Sequence, residues 1–279
     1  MKTIPTSFLF VLITLLFASC SSAEKKKTAE QFPNKEVCVL VFNLKTSTFV
    51  EIVNRKRCEQ RLPAASTFKV PLAVMSFDSK VLKDENSSLK WDGQKRFLDV
   101  WNQDHTAKSW MANSVVWFSQ KITPKIGEKR IHQYLMSFEY GNADMSGGIE
   151  HAWLTPTPQN GSKLKNSLKI SGFEQAHFLK NLWREKLPTT PDSQIKTIKL
   201  LPEEKSEKGN KIFGKTGSGV VGEKFDLRVG WYVGYLETAK DKFVVVSNFT
   251  DKQNDPDKTF GGVEAKEILK QVLSQKNLW

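Results

Sequence analysis

Ser66 and Lys69 are the residues of this sequence whose types and spacing most clearly allow chemistry. They form the motif Ser66-Thr67-Phe68-Lys69, in which the lysine lies one helical turn after the serine and on the same face. A serine at a helix start has its hydroxyl close to unpaired backbone N–H groups and to the positive end of the helix dipole. The lysine can accept the serine proton once its own charge is removed, so the pair predicts a serine nucleophile with a lysine base.

The Ser-x-x-Lys spacing alone is a weak signal because the chain is rich in lysine. The same spacing begins at Ser22, Ser87, Ser162 and Ser193. Those four serines lie in the polar leader or in hydrophilic segments. Ser66 instead opens an apolar helix, residues 70–75, that would bury Lys69. Pro71 lies near the helix start, where its missing N–H does little harm.

Two further motifs follow in order along the chain. Ser114-Val115-Val116 lies in a helix or at its end, among apolar neighbours, and Lys215-Thr216-Gly217 closes a β-like run. A Lys-Thr-Gly strand edge can offer a cation, a hydroxyl and a close backbone approach to an anionic acyl substrate. Each tripeptide alone is more often structural, but the ordered set is very unlikely by chance. No P-loop, GxGxxG, HExxH or GxSxG motif is present, and the four histidines lack metal-ligand spacing.

Composition narrows the class of protein. With 279 residues, 39% hydrophobic and 26% charged, the chain fits a folded globular protein of one large domain or two small ones. The apolar run at residues 8–18 is too short to span a bilayer, which excludes a membrane bundle. The net charge of +12 comes mostly from lysines mixed with acids, which favours a solvated surface over a nucleic-acid partner. Attraction to anionic lipid or to a negatively charged substrate remains open.

The N-terminus has the pattern of an export signal. A positive start is followed by the apolar run and then by small residues, which predicts a signal peptide over residues 1–20. Cys20 after small residues resembles a bacterial lipoprotein site, although Phe17 stands where leucine is usual. In this case Cys20 carries a lipid anchor. The alternative is ordinary cleavage after Ala23, which releases a soluble protein.

Both alternatives predict an exported, periplasmic protein, attached to the membrane only if Cys20 is lipidated. Residues 21–33, which include three consecutive lysines, are the expected tether, and residues 34–279 the expected catalytic domain. Export permits a disulfide between Cys38 and Cys58. These two cysteines flank a predicted β-hairpin. The simple register of that hairpin pairs Cys38 near Val53 and leaves Cys58 slightly out of line. A disulfide and two free buried thiols therefore both remain as alternatives.

The coarse order of elements is strands, then helices, then strands. The predicted elements are a hairpin at 37–42 and 48–53, helices at 67–79, 109–120, 127–138 and 171–186, strands at 211–216, 228–236 and 242–249, and a helix at 263–273. This order predicts a mixed α/β fold whose sheet is built from both ends of the chain, with a helical region inserted between them. An active site would lie in the cleft between sheet and helical region.

The ordered motifs resemble the serine β-lactamase and penicillin-binding superfamily, and most closely the class D β-lactamases (oxacillinases). The resembling stretches are residues 57–61 running into 66–69, 109–117, 140–142, 147–148 with 153–154, 167–171, 215–217 and 230–234. They cover most of the chain from residue 37 to residue 273. The resemblance implies an antiparallel sheet with flanking helices and an inserted helical subdomain.

The resemblance also implies a catalytic set of Ser66, Lys69, Ser114 and Lys215. In the family, the serine matching Ser66 attacks the lactam carbonyl and forms an acyl-enzyme. The lysine matching Lys69 carries CO2 as a carbamate (N6-carboxylysine), which takes the serine proton and activates the deacylating water. Ser114 would relay a proton to the lactam nitrogen, and Lys215 would supply positive potential for the substrate carboxylate. No metal or other cofactor is implied.

The substrate-binding residues that the resemblance implies are Val116, Trp153, Leu154, Thr216, Gly217 and Ser218. Trp153 matches the indole that donates a hydrogen bond to the carbamate, and Val116 and Leu154 match apolar residues that roof its pocket. The backbone N–H groups of Ser66 and Ser218 would form the oxyanion hole.

The implied function is hydrolysis of penicillin-type antibiotics, which gives resistance, with a small-molecule β-lactam as partner. Two rivals share the fold: a penicillin-binding sensor domain that acylates without fast deacylation, and a D,D-peptidase acting on cell-wall peptides. Sensors normally hang from a multi-span membrane protein. Trp153 and the apolar pair Val116 and Leu154 favour the lactamase over the peptidase. Oligomeric state stays open.

The sequence departs from the family pattern in two places. Residues 155–166 intervene where the family usually has a few residues, so an enlarged loop beside the carbamate site is expected to alter the substrate range. No arginine follows Arg228, whereas family members commonly bind the substrate carboxylate with an arginine near the last helix. Lys252 and Lys258 are the candidate substitutes, although an ammonium does not reproduce a bidentate fork.

Overall fold

The computed structural model describes residues 31–156, 166–254 and 260–279. Its main strands are β1 (Lys35–Asn43), β2 (Thr48–Val53), β7 (Glu203–Lys205), β8 (Lys211–Val221), β9 (Leu227–Glu237) and β10 (Lys242–Asp251). Two short ladders pair β3 (Leu62–Pro63) with β6 (Lys169–Ile170) and β4 (Ser88–Leu89) with β5 (His105–Thr106).

The main strands form one antiparallel sheet in the order β2-β1-β10-β9-β8-β7. The two chain ends meet in its middle, where β1 pairs with β10 from Lys35 opposite Asp251 to Asn43 opposite Phe243. Valine, phenylalanine and tyrosine dominate the central strands, and such residues pack well on a pleated, buried surface. The expected mixed α/β fold, with its sheet built from both chain ends, is therefore confirmed.

Helices cover both faces of the sheet. They are α1 (Arg55–Cys58), α2 (Lys69–Asp78), α3 (Ala107–Ala112), α4 (Val116–Ile126), α5 (Glu128–Ser137), α6 (Gly172–Trp183), α7 (Pro191–Leu200) and α8 (Gly261–Gln275). Helix α8 packs on one face of the sheet, against β8, β9 and β10. The helical region covers the other face, where α6 contacts β1 and β10. In the described part of the chain, no helix is long and apolar enough to cross a membrane.

The two faces of the sheet enclose separate hydrophobic cores. The larger core lies between the sheet and the helical region and includes Phe68, Trp153 and Trp231. The smaller core lies under α8 and includes Phe32. Phe32 is buried there although it belongs to residues 21–33, the segment that was expected to be a tether. Residues 1–30, including Cys20, lie outside the described residues.

The helices of the structure differ from the predicted helices in two places. The single helix expected at 109–120 is two helices, α3 and α4, because Ser114 between them adopts a φ of 56°. Helix α7 was not predicted. Its buried positions are largely polar and include Ser193, Gln194 and Thr197, so the apolar periodicity that marks most helices is missing from this sequence.

Cys38 and Cys58 form a disulfide, which settles the question that the hairpin register left open. Val39, not Cys38, lies opposite Val53 across β1 and β2, and a β-bulge shifts the register further along the pair. Cys58 reaches Cys38 because α1 follows β2 at once and turns the chain back over β1. The bridge therefore ties the start of the sheet to the segment that leads into Ser66.

Candidate active site

Ser66 lies in a 3-10 turn, Ala65–Phe68, that runs directly into α2. The turn is held from inside: the Thr67 hydroxyl donates to the Ala64 carbonyl at 2.5 Å and accepts a bond from the Gln175 amide at 2.9 Å. Ser66 itself is partly exposed at the head of an otherwise buried segment. Nothing in the sequence indicated a pairing of Thr67, a middle residue of the Ser66–Lys69 motif, with Gln175, because their contact spans 108 positions.

Lys69 is fully buried at the start of α2, one turn after Ser66. Its Nζ lies 3.1 Å from the Ser66 Oγ. Burial lowers the pKa of Lys69 well below its ordinary value of 10.5, and the nearby charge of Lys215 lowers it further. No carboxylate among the described residues pairs with its ammonium. The environment therefore favours the neutral amine, which is the form that can accept a proton or react with an electrophile.

Trp153 closes the other side of the Lys69 pocket. The Lys69 Nζ lies 4.8 Å from its ring centroid, and the Phe68 ring packs at 5.8 Å. The indole is fully buried, and its N–H has no acceptor among the described residues. An unsatisfied buried donor costs about 1–3 kcal/mol, so it calls for an explanation. An anionic oxygen attached to Lys69 would supply the acceptor that this donor lacks.

Lys215 lies on β8, buried, with its ammonium turned along the strand. Its Nζ donates to the Thr216 carbonyl at 2.9 Å and contacts the Thr216 Oγ1 at 3.2 Å. Burial lowers the pKa of Lys215 to about 7. It therefore changes charge near neutral pH and can either present a cation to an anionic substrate or pass a proton.

The strand edge from Thr216 to Ser218 meets both the nucleophile turn and α8. Gly217 allows this approach: a Cβ there would lie 3.0 Å from the Thr67 Cγ2 and 3.3 Å from the Thr67 backbone nitrogen. On the other side, the Gly262 N–H donates to the Ser218 Oγ at 2.8 Å. Glycine at 217 thus lets β8 bring its backbone to the serine turn.

Ser114 and Val116 lie at the junction of α3 and α4, on the helical side of the cleft. Both are half-buried. Helix α4, which begins at Val116, packs on α2, the helix that carries Lys69. Ser114 adopts a positive φ, a conformation that few non-glycine residues take and that often occurs at functional sites.

Leu154 and Thr155 continue the chain from Trp153 towards β8. Leu154 is half-buried, and its carbonyl accepts a bond from the Asn166 amide at 2.5 Å. The Thr155 Oγ1 accepts the Val220 N–H at 3.1 Å, and a Cβ at Gly219 would lie 2.7 Å from that oxygen. The first residue of the inserted segment is thus bound to β8. Residues 157–165 of that segment lie outside the described residues.

The remaining motif residues contact the chain segments that lead into and out of the site. Gly141 has a φ of 61°, and a Cβ there would lie 2.1 Å from the Lys169 carbonyl oxygen. Asn142 bonds the Ser167 carbonyl and the Lys169 N–H. The buried Trp231 indole donates to the Pro63 carbonyl at 3.0 Å. These contacts hold the segments before Ser66 and after Trp153.

Lys252 and Lys258 were the expected substitutes for the carboxylate-binding arginine that does not follow Arg228 in this sequence. Arg228 forms ion pairs with Asp251 and Glu264. Lys252 donates from its Nζ to the Pro33 carbonyl at 2.9 Å, so its ammonium is engaged with the first described segment of the chain. Lys258 lies outside the described residues.

The fold and the Ser66–Lys69 pair define a serine enzyme of penicillin-binding architecture. The profile of the penicillin-binding protein transpeptidase domain matches residues 37–274. Beta-lactamase OXA-1 of Escherichia coli is 32% identical over 288 residues, covering 99% of this chain and 99% of that protein. Regulatory protein BlaR1 of Bacillus licheniformis is 32% identical over 228 residues, covering 82% of this chain but 35% of BlaR1.

Solved structures agree with these matches. The class D beta-lactamase BAT-2 superposes with a TM-score of 0.75 at 30% identity, covering 90% of this chain and 95% of that one. The chain belongs to the class D serine β-lactamase family. The family resemblance drawn from the ordered motifs is therefore confirmed. Within the described residues, no group of three or more His, Cys, Asp or Glu side chains is placed to hold a metal ion.

Replacement of Lys215 by methionine is expected to remove part of the pH dependence of stability. The pKa of Lys215 is about 7 in the folded protein against an ordinary value of 10.5, so between these values the unfolded chain binds more protons. The free energy of unfolding should therefore rise as pH increases from about 7 towards about 10, because the desolvation cost of the charged form disappears. Below pH 7 both states are protonated, and the cost is present in full.

The measurement is urea-induced unfolding of the wild type and Lys215→Met at about pH 7 and about pH 10. The wild type should gain more stability over this interval than the variant. Equal gains in the two proteins would show that Lys215 does not titrate in this window.

Proposed function

We propose that this protein hydrolyses β-lactams through an acyl-enzyme on Ser66, with a carbamylated Lys69 as the base. One observation carries the proposal: a buried lysine without a carboxylate partner in the described structure lies between the Ser66 hydroxyl and an indole N–H that lacks an acceptor. The lowered pKa of Lys69 supports the neutral amine that must add to CO2. Addition forms the N–C bond and releases one proton, which leaves a carboxylate on the side chain.

The carbamate supplies an anionic base for the Ser66 proton and for the hydrolytic water. The Ser66 Oγ attacks the lactam carbonyl carbon, and the lactam C–N bond breaks as the acyl-enzyme forms. The backbone N–H groups of Ser66 and Ser218 stabilise the oxyanion. Ser114 passes a proton to the departing lactam nitrogen. Lys215, whose pKa lies near neutrality, assists this transfer.

Recognition of the substrate carboxylate is assigned to the Lys215–Thr216 strand edge. The Lys215 ammonium and the Thr216 hydroxyl lie 3.2 Å apart, so a cation and a hydroxyl are available at one place. With Lys252 engaged at Pro33, this pair is the supported replacement for the absent arginine. Val116 and Leu154, both half-buried, are the proposed apolar roof that limits water around Lys69.

The test is steady-state turnover of a chromogenic cephalosporin by the purified protein. Many product molecules per enzyme are expected. One equivalent of product, followed by a stable acyl-enzyme, would instead favour a sensor, a role that the match to BlaR1 keeps as the second candidate. Release of D-alanine from a D-Ala-D-Ala peptide, with slow β-lactam turnover, would favour a D,D-peptidase.

We further propose that the enzyme acts in the periplasm, is anchored through a lipid on Cys20, and thereby protects the cell against β-lactams. The pattern of residues 1–23 supports export, but these residues lie outside the described structure. Cys20→Ala should move the protein from the membrane fraction to the soluble fraction. A wild-type protein that is already soluble and begins at Glu24 would contradict the lipid anchor.

A further inference from the structure

The residue immediately before Ser66 has a backbone conformation that residues other than glycine rarely adopt. Ala65 has a φ of 46°, in the left-handed region, where the Cβ of an L-residue is crowded by the backbone. Such a conformation persists only where the surrounding contacts enforce it. Because the backbone angles of Ala65 set the direction of the Ser66 N–H, the contacts that hold Ala65 also aim one of the two oxyanion donors.

Thr67, directly after the nucleophile, contacts both the residue before Ala65 and the strand on the other side of the oxyanion hole. Its hydroxyl donates to the Ala64 carbonyl at 2.5 Å, and its backbone N–H donates to the same carbonyl at 3.2 Å. Its methyl group lies next to Gly217 on β8, where a Cβ would lie 3.0 Å from the Thr67 Cγ2. Thr67 thus spans Ala65 and contacts the strand that carries Ser218, the second oxyanion donor.

Gln175 on α6 determines which way the Thr67 hydroxyl donates. Its side chain is 1% exposed, and its Nε2 donates to the Thr67 Oγ1 at 2.9 Å and to the Tyr140 hydroxyl at 3.4 Å. Because an amide N–H donates and cannot accept, the Thr67 oxygen must accept there, and its single hydrogen is left for the Ala64 carbonyl. An acceptor at position 175 would instead attract that hydrogen and release the carbonyl.

The start of α6 is fixed by its own contacts, which keep the Gln175 amide in place. The helix begins with a capping box between Ser171 and Glu174. A Cβ at Gly172 would lie 2.9 Å from the Cys38 Sγ, so the first turn of the helix packs directly on the disulfide. Gln175 therefore presents its N–H from a fixed position.

We propose that Gln175 is a positioning residue for acylation. By fixing the direction of the Thr67 hydroxyl bond, it holds the Ser66 turn against β8 and so aligns the two backbone donors of the oxyanion hole. The inference rests on the acyl-enzyme step of the proposed function and not on the carbamate or on deacylation. Loss of the bond should lower the acylation rate constant more than the affinity for intact substrate, because the oxyanion develops in the transition state.

The experiment measures acylation of Gln175→Glu by a fluorescent penicillin in stopped flow, which gives a rate constant and a dissociation constant. An ionised carboxylate accepts and cannot donate, so the Thr67 hydroxyl should reverse its bond. The acylation rate constant should fall about 10- to 100-fold, less than on complete removal of an oxyanion donor. The dissociation constant should change by less than about 2-fold, since intact substrate carries no oxyanion.

The pH dependence of Gln175→Glu separates positioning from packing. A protonated glutamic acid can donate as the amide does, and burial raises the pKa of a carboxyl group. With bicarbonate added to both proteins, the ratio of variant to wild-type acylation should therefore rise as pH falls from about 8 to about 5. A glutamate that only disturbs packing would leave this ratio constant.

Gln194→Glu is the matched control because Gln194 is an equally buried glutamine on α7. Its amide bonds the backbone of Leu187 and Thr189 and makes no recorded hydrogen bond to the Ser66 turn. This variant should lose stability in urea while its folded fraction is acylated like the wild type. If Gln175→Glu also keeps the wild-type rate constant, or loses rate without recovery at low pH, the proposal is overturned.

Thr67→Val provides a second route to the same test if Gln175→Glu does not fold. The valine keeps the methyl group beside β8 but lacks the hydroxyl, so acylation should fall as in Gln175→Glu with little change in the dissociation constant. In the double variant the second substitution should add little, because both remove one bond. A wild-type rate constant in Thr67→Val would also overturn the proposal. Acylation without turnover in the wild type would instead contradict the proposed hydrolysis and leave this comparison intact.

Discussion

Ser66→Ala is expected to abolish covalent labelling by a fluorescent penicillin and to lower β-lactam turnover by at least about 10⁴-fold. Ser66 is the serine whose hydroxyl lies 3.1 Å from a buried lysine of lowered pKa, so its loss removes the nucleophile and leaves only binding and the oxyanion donors. Labelling is read by gel fluorescence, and turnover by absorbance.

Ser87→Ala is the matched control because Ser87 begins the same Ser-x-x-Lys spacing. Its Oγ accepts the backbone N–H groups of Lys83 and Asp84 in an exposed turn. The lysine of that motif, Lys90, is 88% exposed and paired with Asp104. The variant should label and turn over like the wild type. Labelling of Ser66→Ala at a single other serine would contradict the assignment of the nucleophile.

Trp153→Ala is expected to make turnover strongly dependent on added bicarbonate. An indole hydrogen bond to a buried anion contributes about 1.5–3 kcal/mol, so its loss should weaken CO2 retention by Lys69 about 10- to 150-fold. Deacylation should suffer more than acylation, because the base must persist to activate the water. The variant would then be acylated quickly and released slowly. Trp153→Phe, which keeps an aromatic ring but lacks the N–H, should show the same bicarbonate dependence.

Turnover by the wild type should also depend on bicarbonate, but more weakly than turnover by Trp153→Ala. Turnover should fall at mildly acidic pH, where protonation of Lys69 nitrogen expels CO2, and should recover on adding bicarbonate. The lowered pKa of Lys69 increases the fraction of neutral amine that can react with CO2. Stopped-flow measurement separates the acylation and deacylation rates. Equal loss in both steps of Trp153→Ala, without any effect of bicarbonate, would mean that the indole only packs the core.

Hydrophobic periodicity and apolar runs in the sequence predicted the helix and the strands that carry the site. The apolar run at residues 70–75 forms a helix and buries Lys69, and the β-like runs near both chain ends join in one sheet. The break at Ser114 was not predictable in this way, because a positive φ in a non-glycine residue is imposed by its surroundings. Helix α7 was missed because polar residues occupy its buried face.

Long-range contacts account for the rest of what the sequence did not reveal. The Gln175–Thr67 bond, the Thr155–Val220 bond and the Phe97–Phe260 contact each join residues more than 60 positions apart. No periodicity or spacing encodes such pairs. The disulfide illustrates the same point, since it depends on a four-residue helix and on a bulged register that the simple hairpin pattern does not show.

Carbon-13 NMR of the purified protein in ¹³C-labelled bicarbonate tests the central claim most directly, because it observes the group on Lys69 itself. We expect one carbamate resonance in the wild type that disappears in Lys69→Ala, weakens at mildly acidic pH and is reduced in Trp153→Phe. Ser87→Ala should retain it. Absence of that resonance in a wild-type protein that turns over β-lactams would contradict the account and show that Lys69 acts as a free amine.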